Sequence, residues 1–225
     1  MAVLDLLPEE RRQREEENGW AQFRRTIELV RAAFQARSPF VIEPAVLQEL
    51  NRLAVEGLVH PAGHYRTEPT SIDRSAHAPP LPGAVAVLVE EMCDYVNRHW
   101  LTRSAIHLAA YLMWRVNWIH PFEDGNGRAA RALSYLILSV RIGEVLPGTI
   151  TVMELVAQDK GPYWRALECA DGAWRSRRLD VSEMEALLDR LVGQQLATDS
   201  IRPRALLAEL HVLASLPLTP PPEDE

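Results

Sequence analysis

The sequence is poor in cysteine, with only Cys93 and Cys169 among its 225 residues. Two cysteines cannot form the disulfide framework of a small secreted domain, and free thiols are typical of reducing compartments. Both lie in helical, largely apolar contexts, so we expect them to be buried thiols of the core. The sequence alone gives no support for a disulfide between them.

Long apolar runs and an excess of basic charge are also missing. No stretch approaches the roughly 20 apolar residues of a transmembrane helix, and the first residues lack the basic start and long apolar core of a signal peptide. The 24 basic residues are outnumbered by 31 acidic ones, for a net charge of −7, which argues against a nucleic acid held by bulk charge. We therefore expect a cytoplasmic protein that binds neither nucleic acid nor membrane.

The chain has no internal repeat and no sign of a second globular domain. Apolar residues recur every three or four positions, which predicts helices at about 20–36, 44–55, 84–100, 162–171 and 181–195, with one more on each side of residue 120. The expected fold class is all-α. We divide the chain into an N-terminal helical extension (1–44), a main domain (45–200), and a short helix with a disordered, acidic, proline-rich tail (201–225).

Residues 58–82 interrupt the helical pattern. They are rich in proline and contain Gly63, and their alternation of apolar and polar residues is too short for a long strand. We expect a loop with a small β-hairpin near residues 65–72.

The most informative stretch is His-Pro-Phe-Glu-Asp-Gly-Asn-Gly-Arg-Ala-Ala-Arg, which begins at residue 120. Gly125, Asn126 and Gly127 permit a tight backbone path in which several N–H groups point at one spot. A helix begins directly afterwards, near Arg128, and the N-terminus of a helix attracts anions. This turn therefore has the features of an anion-binding loop.

Charged and titratable residues flank that loop. Arg128 and Arg131 lie in the first turn of the new helix, where cations oppose the helix dipole unless an anion joins them. Asp124 is a hard oxygen ligand suited to a metal that bridges phosphates, and His120 is a base near neutral pH. Together these residues indicate phosphoryl or nucleotidyl transfer. The plainer alternative is a turn between two core helices, with surface arginines and a structural histidine.

Residues 120–131 match the signature of the Fic family, H-P-F-x-[D/E]-G-N-G-R-x-x-R, at every fixed position. Residues 62–66, followed by Ile72 and the prolines at 79–80, resemble the family's flap. Residues 163–171 resemble its Tyr-x-x-Ala-Leu helix. The resemblance covers roughly residues 45–195 and implies a helical Fic-domain bundle with a short β-hairpin flap.

The same resemblance implies a protein adenylyltransferase, which transfers AMP from ATP to a target protein. His120 would accept the proton of a Tyr, Thr or Ser hydroxyl as it attacks the α-phosphate, and Asp124 would hold Mg²⁺. Leu167 and Asp171 fall where the family lines its base and ribose pocket, although a core leucine and a helix-end aspartate explain them equally well. The residues implied to contact the phosphates are Gly125, Asn126, Gly127, Arg128 and Arg131.

One family feature is absent from the sequence. Many Fic proteins are restrained by a helix with the pattern [S/T]-x-x-x-E-[G/N], whose Glu pairs with the second arginine of the signature. The nearest strings here run from Gln13 to Asn18, without the hydroxyl residue, and from Arg52 to Gly57, in the wrong place. We therefore expect Arg131 to have no internal inhibitor, and expect either a small antitoxin-like inhibitor protein, as in the Fic toxin–antitoxin class, or no such restraint.

Several functional alternatives stay open at this point. The motif determines the phosphate chemistry but not which nucleobase is bound, so UTP or GTP could replace ATP. Removal of AMP from a protein also uses this motif, and a nucleotide-binding scaffold without turnover is a further alternative that the intact His120 disfavours. The flap, at about residues 62–72, would hold the target segment through backbone pairing at an open edge.

Overall fold

The computed structural model describes residues 2–36, 39–73 and 75–198. Two short strands, β1 (Ala2–Val3) and β2 (Val59–His60), pair in antiparallel fashion, and one 3₁₀ turn spans Pro82–Ala84. The helices of these ranges are α1 (Pro8–Gln35), α2 (Pro44–Val55), α3 (Val85–Arg98), α4 (Ala105–Ile119), α5 (Asn126–Ile142), α6 (Val152–Gln158), α7 (Lys160–Arg175) and α8 (Ser182–Ala197). The all-α prediction is confirmed. The short helix and tail expected at 201–225 lie outside the described residues.

Helices α4 and α5 form the centre of the bundle and pack against each other along their length. Most of α4 is buried, which agrees with a sequence that is apolar on nearly all sides. Ser104 caps it, because its hydroxyl oxygen accepts from the His107 N–H at 3.1 Å. Ser134 of α5 donates to the Ala109 carbonyl of α4 at 3.0 Å. The 120–125 loop connects these two helices, so both of its ends are fixed by helices that pack in the core.

Helix α1 is longer than the sequence predicted, because the charged run at 9–17 continues into the apolar helix without a break. Its buried face contains polar side chains. Asn18 donates to the carbonyl of Glu56 at 2.9 Å and Gln22 to that of Leu50 at 2.9 Å. These amides satisfy carbonyls of α2 and the residue after it, so the N-terminal segment packs directly on α2 and α5. By contrast Phe34, near the end of α1, is 41% exposed although it is apolar.

The prediction of a β-hairpin at residues 65–72 was wrong. Within residues 61–73 and 75–81 the structure has no strand, and β2 pairs with β1 instead. Pro69 lacks the N–H that a ladder needs in the middle of this stretch. The segment is held by a side chain, since the buried Arg66 donates to the carbonyls of His120 and Glu68, at 2.8 and 3.0 Å.

The two cysteines have different environments. Cys93 is buried as expected, and burial raises its pKa to about 12. Cys169 is exposed, so its assignment to the core was wrong, and both are free thiols. Across the described part of the chain, no helix has the length and apolarity that a bilayer crossing requires.

Candidate active site

His120 lies directly after α4 in a left-handed backbone conformation, with φ of 49°. Its imidazole Nδ1 is buried and has no hydrogen-bond partner of good geometry among the described residues. Burial lowers the pKa of His120 to about 4; the backbone of Asn117 acts against this, and the charges of Arg66 and His77 add to it. The imidazole is therefore neutral at pH 7 and able to accept a proton.

The turn after His120 is closed by Gly125 and Asn126. Gly125 has φ of 79°, and a Cβ there would lie 2.6 Å from Cγ1 of Val55 and 2.8 Å from Nδ2 of Asn51. The buried Asn126 side chain accepts from the N–H of Phe122 and donates to its carbonyl, both at 2.9 Å. This amide holds the loop closed. Nδ2 carries two N–H groups, of which one donates to Phe122, so the expected contact of Asn126 with phosphate stays a prediction.

Asp124 and Arg128 form an ion pair at the start of α5. Oδ2 of Asp124 accepts from Arg128 at 2.9 Å, and Oδ1 accepts from the N–H of Gly125 at 2.5 Å. Arg128 also donates to the carbonyl of Ala54 at 3.0 Å, and Asn51 donates to the carbonyl of Asp124 at 2.8 Å. Helix α2 therefore positions both members of the pair, while the carboxylate side chain stays 38% exposed.

Arg131 differs from Arg128 in having no counter-charge among the residues that the structure describes. Among the described residues it forms no hydrogen bond or ion pair. Burial lowers its pKa, an effect that Tyr163 opposes and Arg128 reinforces, yet a guanidinium stays charged at neutral pH. Arg131 is the sixth residue of α5, so it lies in the second turn and not in the first turn that the sequence predicted. A partly buried, unpaired cation is costly unless an anion binds there. The Arg131 guanidinium is therefore available to pair with an anion.

A cavity of about 260 Å³ lies on one side of Arg131, between the end of α4 and the side of α7. Its walls include Asn117, Trp118, Gly127, Arg131, Leu167 and Asp171. The structure therefore brings both α7 residues singled out in the sequence to the same cavity as the second arginine. Oδ1 of Asp171 accepts from the indole N–H of Trp114 at 2.8 Å, so its orientation is determined.

A larger cavity, of about 550 Å³, lies on the other side of Arg131. Helix α1 and the segment around α6 form its walls, which include Glu16, Trp20, Phe23, Arg128, Arg131 and Met153. Glu17, in the string nearest to the inhibitory pattern, points away and lies 3.5 Å from Arg14 on the surface. Glu16, which the sequence did not single out, is the acidic residue of α1 that lines the cavity with the two arginines.

Arg66 is the site residue whose role the sequence did not reveal. It is 2% exposed, its Nε donates to the carbonyl of His120 at 2.8 Å, and its backbone N–H donates to the carbonyl of Pro121 at 2.8 Å. It also donates to the carbonyl of Pro80. Arg66 therefore connects the 62–81 segment to the backbone of the candidate base. In the sequence it ends the stretch 62–66 that resembles the family's flap, but nothing there indicates a contact with the backbone of His120.

Among the described residues, no group of three or more His, Cys, Asp or Glu side chains could hold a metal by itself. Asp124 is the carboxylate next to the anion-binding loop. A single exposed carboxylate suits Mg²⁺, which keeps several waters and commonly binds one or two carboxylates together with phosphates of a substrate.

Comparisons with known proteins agree with this geometry. The Fic/DOC family model matches residues 41–138. The chain is 36% identical over 126 residues to proteins named "Protein adenylyltransferase Fic" from Drosophila willistoni and Drosophila melanogaster. These matches cover 55% of this chain but only 23% and 24% of the relatives, so the aligned part spans about a quarter of their length.

Solved structures show the same fold. A Fic-domain-containing signalling protein from Bacteroides thetaiotaomicron matches with a TM-score of 0.63 and 19% identity, over 91% of this chain and 76% of that one. Fic-1 from C. elegans matches with a TM-score of 0.57 and 23% identity, over 88% and 56% of the two chains. Together with the signature at residues 120–131, the family-model match identifies a Fic/DOC domain at residues 41–138, which contains His120.

Proposed function

We propose that this protein is a protein adenylyltransferase, which transfers AMP from ATP to a Tyr, Thr or Ser hydroxyl of a target protein. The observation that carries the proposal is the combination, in one loop and helix start, of a neutral histidine at 120 and an unpaired arginine at 131. A binding scaffold needs the arginine but has no use for the base. The name of the Drosophila relatives supports the same reaction.

In the proposed reaction the hydroxyl oxygen attacks the α-phosphorus of ATP. The bond from the α-phosphorus to the oxygen that bridges to the β-phosphate breaks, and pyrophosphate leaves. His120 takes the hydroxyl proton, a contribution typically worth about 10²- to 10⁴-fold in rate. Arg128 would orient Asp124 and meet the β-phosphate, while Arg131 would meet the γ-phosphate as a planar fork. The N–H groups near Gly127 would complete the phosphate site.

Asp124 would hold Mg²⁺ in this proposal. The bound ion would neutralise charge on the phosphates of the leaving group. The Asp124 carboxylate is already oriented by Arg128 and by the N–H of Gly125. Because these contacts leave the side chain 38% exposed, the residue fits a metal that arrives with the nucleotide.

Leu167 and Asp171 would line the base and ribose pocket in the 260 Å³ cavity. The target segment would lie along the flap, at about residues 62–72, where residues 67–69 are exposed. Restraint by a small antitoxin-like protein is also part of the proposal. We propose a cytoplasmic location, which suits the free thiols of Cys93 and Cys169.

The test incubates the purified protein with α-³²P-labelled ATP, Mg²⁺ and a cell lysate, beside a His120→Ala control. The expected result is label on a protein band, or on the chain itself, that disappears with the variant. Label from another α-labelled nucleotide, but not from ATP, would show the same nucleotidyl transfer with a different nucleotide as the substrate. Binding of ATP with no label from any nucleotide would favour the scaffold and contradict the proposal.

A further inference from the structure

Arg115, on α4, is a buried cation without an ion-pair partner in the described structure. Its side chain is 5% exposed, and its Nε and one Nη have no hydrogen-bond partner there. Its guanidinium carbon instead lies 4.4, 4.9 and 5.6 Å from the ring centres of Trp118, Trp174 and Trp114. Aromatic faces attract a cation at these distances. We call Arg115 and these three residues the tryptophan cage.

The tryptophan cage is connected to the 260 Å³ cavity beside Arg131 through two wall residues, Trp118 and Asp171. Trp118 lines that cavity directly, together with Asp171. Trp114 contacts a wall residue of the cavity, because its indole N–H donates to Oδ1 of Asp171 at 2.8 Å. Trp174 lies one turn after Asp171 on α7, so the cage joins the two helices that form opposite walls. Displacement of the Arg115 guanidinium would therefore change the positions of Trp118 and Asp171 together.

We propose that Arg115 is a positioning residue for the nucleotide. It would hold Trp118 directly, and Asp171 through the Trp114–Asp171 hydrogen bond, in the part of the cavity that receives the nucleobase and ribose. The inference deepens the proposed function and rests on it. With Oδ1 of Asp171 occupied by the indole, the carboxylate presents Oδ2 as one oriented acceptor. A carboxylate free to rotate would lose conformational entropy on binding and would discriminate less between bases.

Arg115→Met tests this role, because methionine keeps an unbranched apolar side chain and removes the charge. Arg141→Met is the matched control: Arg141 lies 5.2 Å from the ring centre of Trp100 and has a buried, unpartnered Nε. Unlike Trp118, which Arg115 contacts, neither Trp100 nor Arg103, to whose carbonyl Arg141 donates, lines either cavity. Calorimetry would give the Kd for ATP and for GTP, and label transfer would give KM and kcat. We expect Arg115→Met to weaken ATP binding by about tenfold, with kcat within about twofold, and to reduce the ATP-to-GTP preference. Arg141→Met should leave both nucleotide affinities unchanged.

Two further variants keep the test decisive if Arg115→Met fails to fold. Trp114→Phe retains the aromatic ring but lacks the N–H that Asp171 needs, and should weaken ATP binding in the same direction. Arg115→Lys retains the charge without the planar guanidinium, and should restore only part of the affinity. If wild type transfers AMP but the Arg115 and Trp114 variants bind ATP as the control does, the inference alone is overturned. If wild type binds no nucleotide, the proposed function fails and the inference with it.

Discussion

Replacing Gly125 with alanine tests whether the anion loop depends on a close approach between α2 and the start of α5. The residue has φ of 79°, which costs an alanine about 1–2 kcal/mol. The new Cβ would lie 2.6 Å from Val55 and 2.8 Å from Asn51, an overlap in a packed interior that typically costs about 1–3 kcal/mol. The sum is about 2–5 kcal/mol, and at 2–4 °C per kcal/mol for a chain of this size the Tm should fall by roughly 4–20 °C.

Gly143→Ala provides the control, since Gly143 has φ of 88° but no atom of the described residues lies within 4 Å of the place where its Cβ would be. It should show only the backbone cost, about 1–2 kcal/mol. Thermal unfolding followed by circular dichroism compares both variants with wild type. The difference between the two variants measures the contact with α2. Equal melting temperatures for the two variants would refute the idea that α2 restricts the loop.

Three further predictions concern the charged groups of the site. The pKa of His120 is about 4 in the folded protein against 6.5 ordinarily. Because the unfolded chain therefore binds the proton first, the free energy of unfolding should fall as the pH drops from 6.5 to 4. Urea unfolding of His120→Asn should lack this part of the pH dependence of stability. Glu16→Ala removes the carboxylate that shares a cavity with Arg131 and should tighten ATP binding several-fold by calorimetry, whereas Glu17→Ala, on the surface, should have no effect. Asp124→Asn should raise the Mg²⁺ concentration needed for half-maximal label transfer by at least tenfold, and an unchanged Mg²⁺ titration would remove Asp124 from the metal site.

The helices and the position of the loop could be predicted from the sequence because both depend on local signals. Apolar periodicity placed α2 at its observed bounds, and the glycines at 125 and 127 marked the turn before α5. The predicted helix start near Arg128 was two residues late. The reason is a local contact, because the Asn126 side chain binds the backbone of Phe122, four residues earlier, and Asn126 is the first residue of α5.

The parts that could not be predicted depend on contacts between distant residues. Arg66 holds the flap through carbonyls more than 50 positions away, and such a bond has no sequence period. Likewise, α1 was expected to bury an apolar face, yet Gln22 donates to the Leu50 carbonyl within α2 and Asn18 to the carbonyl of Glu56, directly after α2. The cavity that α1 forms with the arginines follows from this packing. The acidic residue at its wall, Glu16, is therefore visible only in three dimensions.

The most direct measurement compares ATP labelled at the α-phosphate with ATP labelled at the γ-phosphate, each with Mg²⁺, the wild-type protein and a source of target protein. Transfer of AMP predicts protein label from the α-position, none from the γ-position, and release of labelled pyrophosphate from the γ-labelled ATP. The α-label should disappear with His120→Ala, since the base is lost. Protein label from the γ-position alone would show phosphoryl transfer and would contradict the proposed adenylyltransferase.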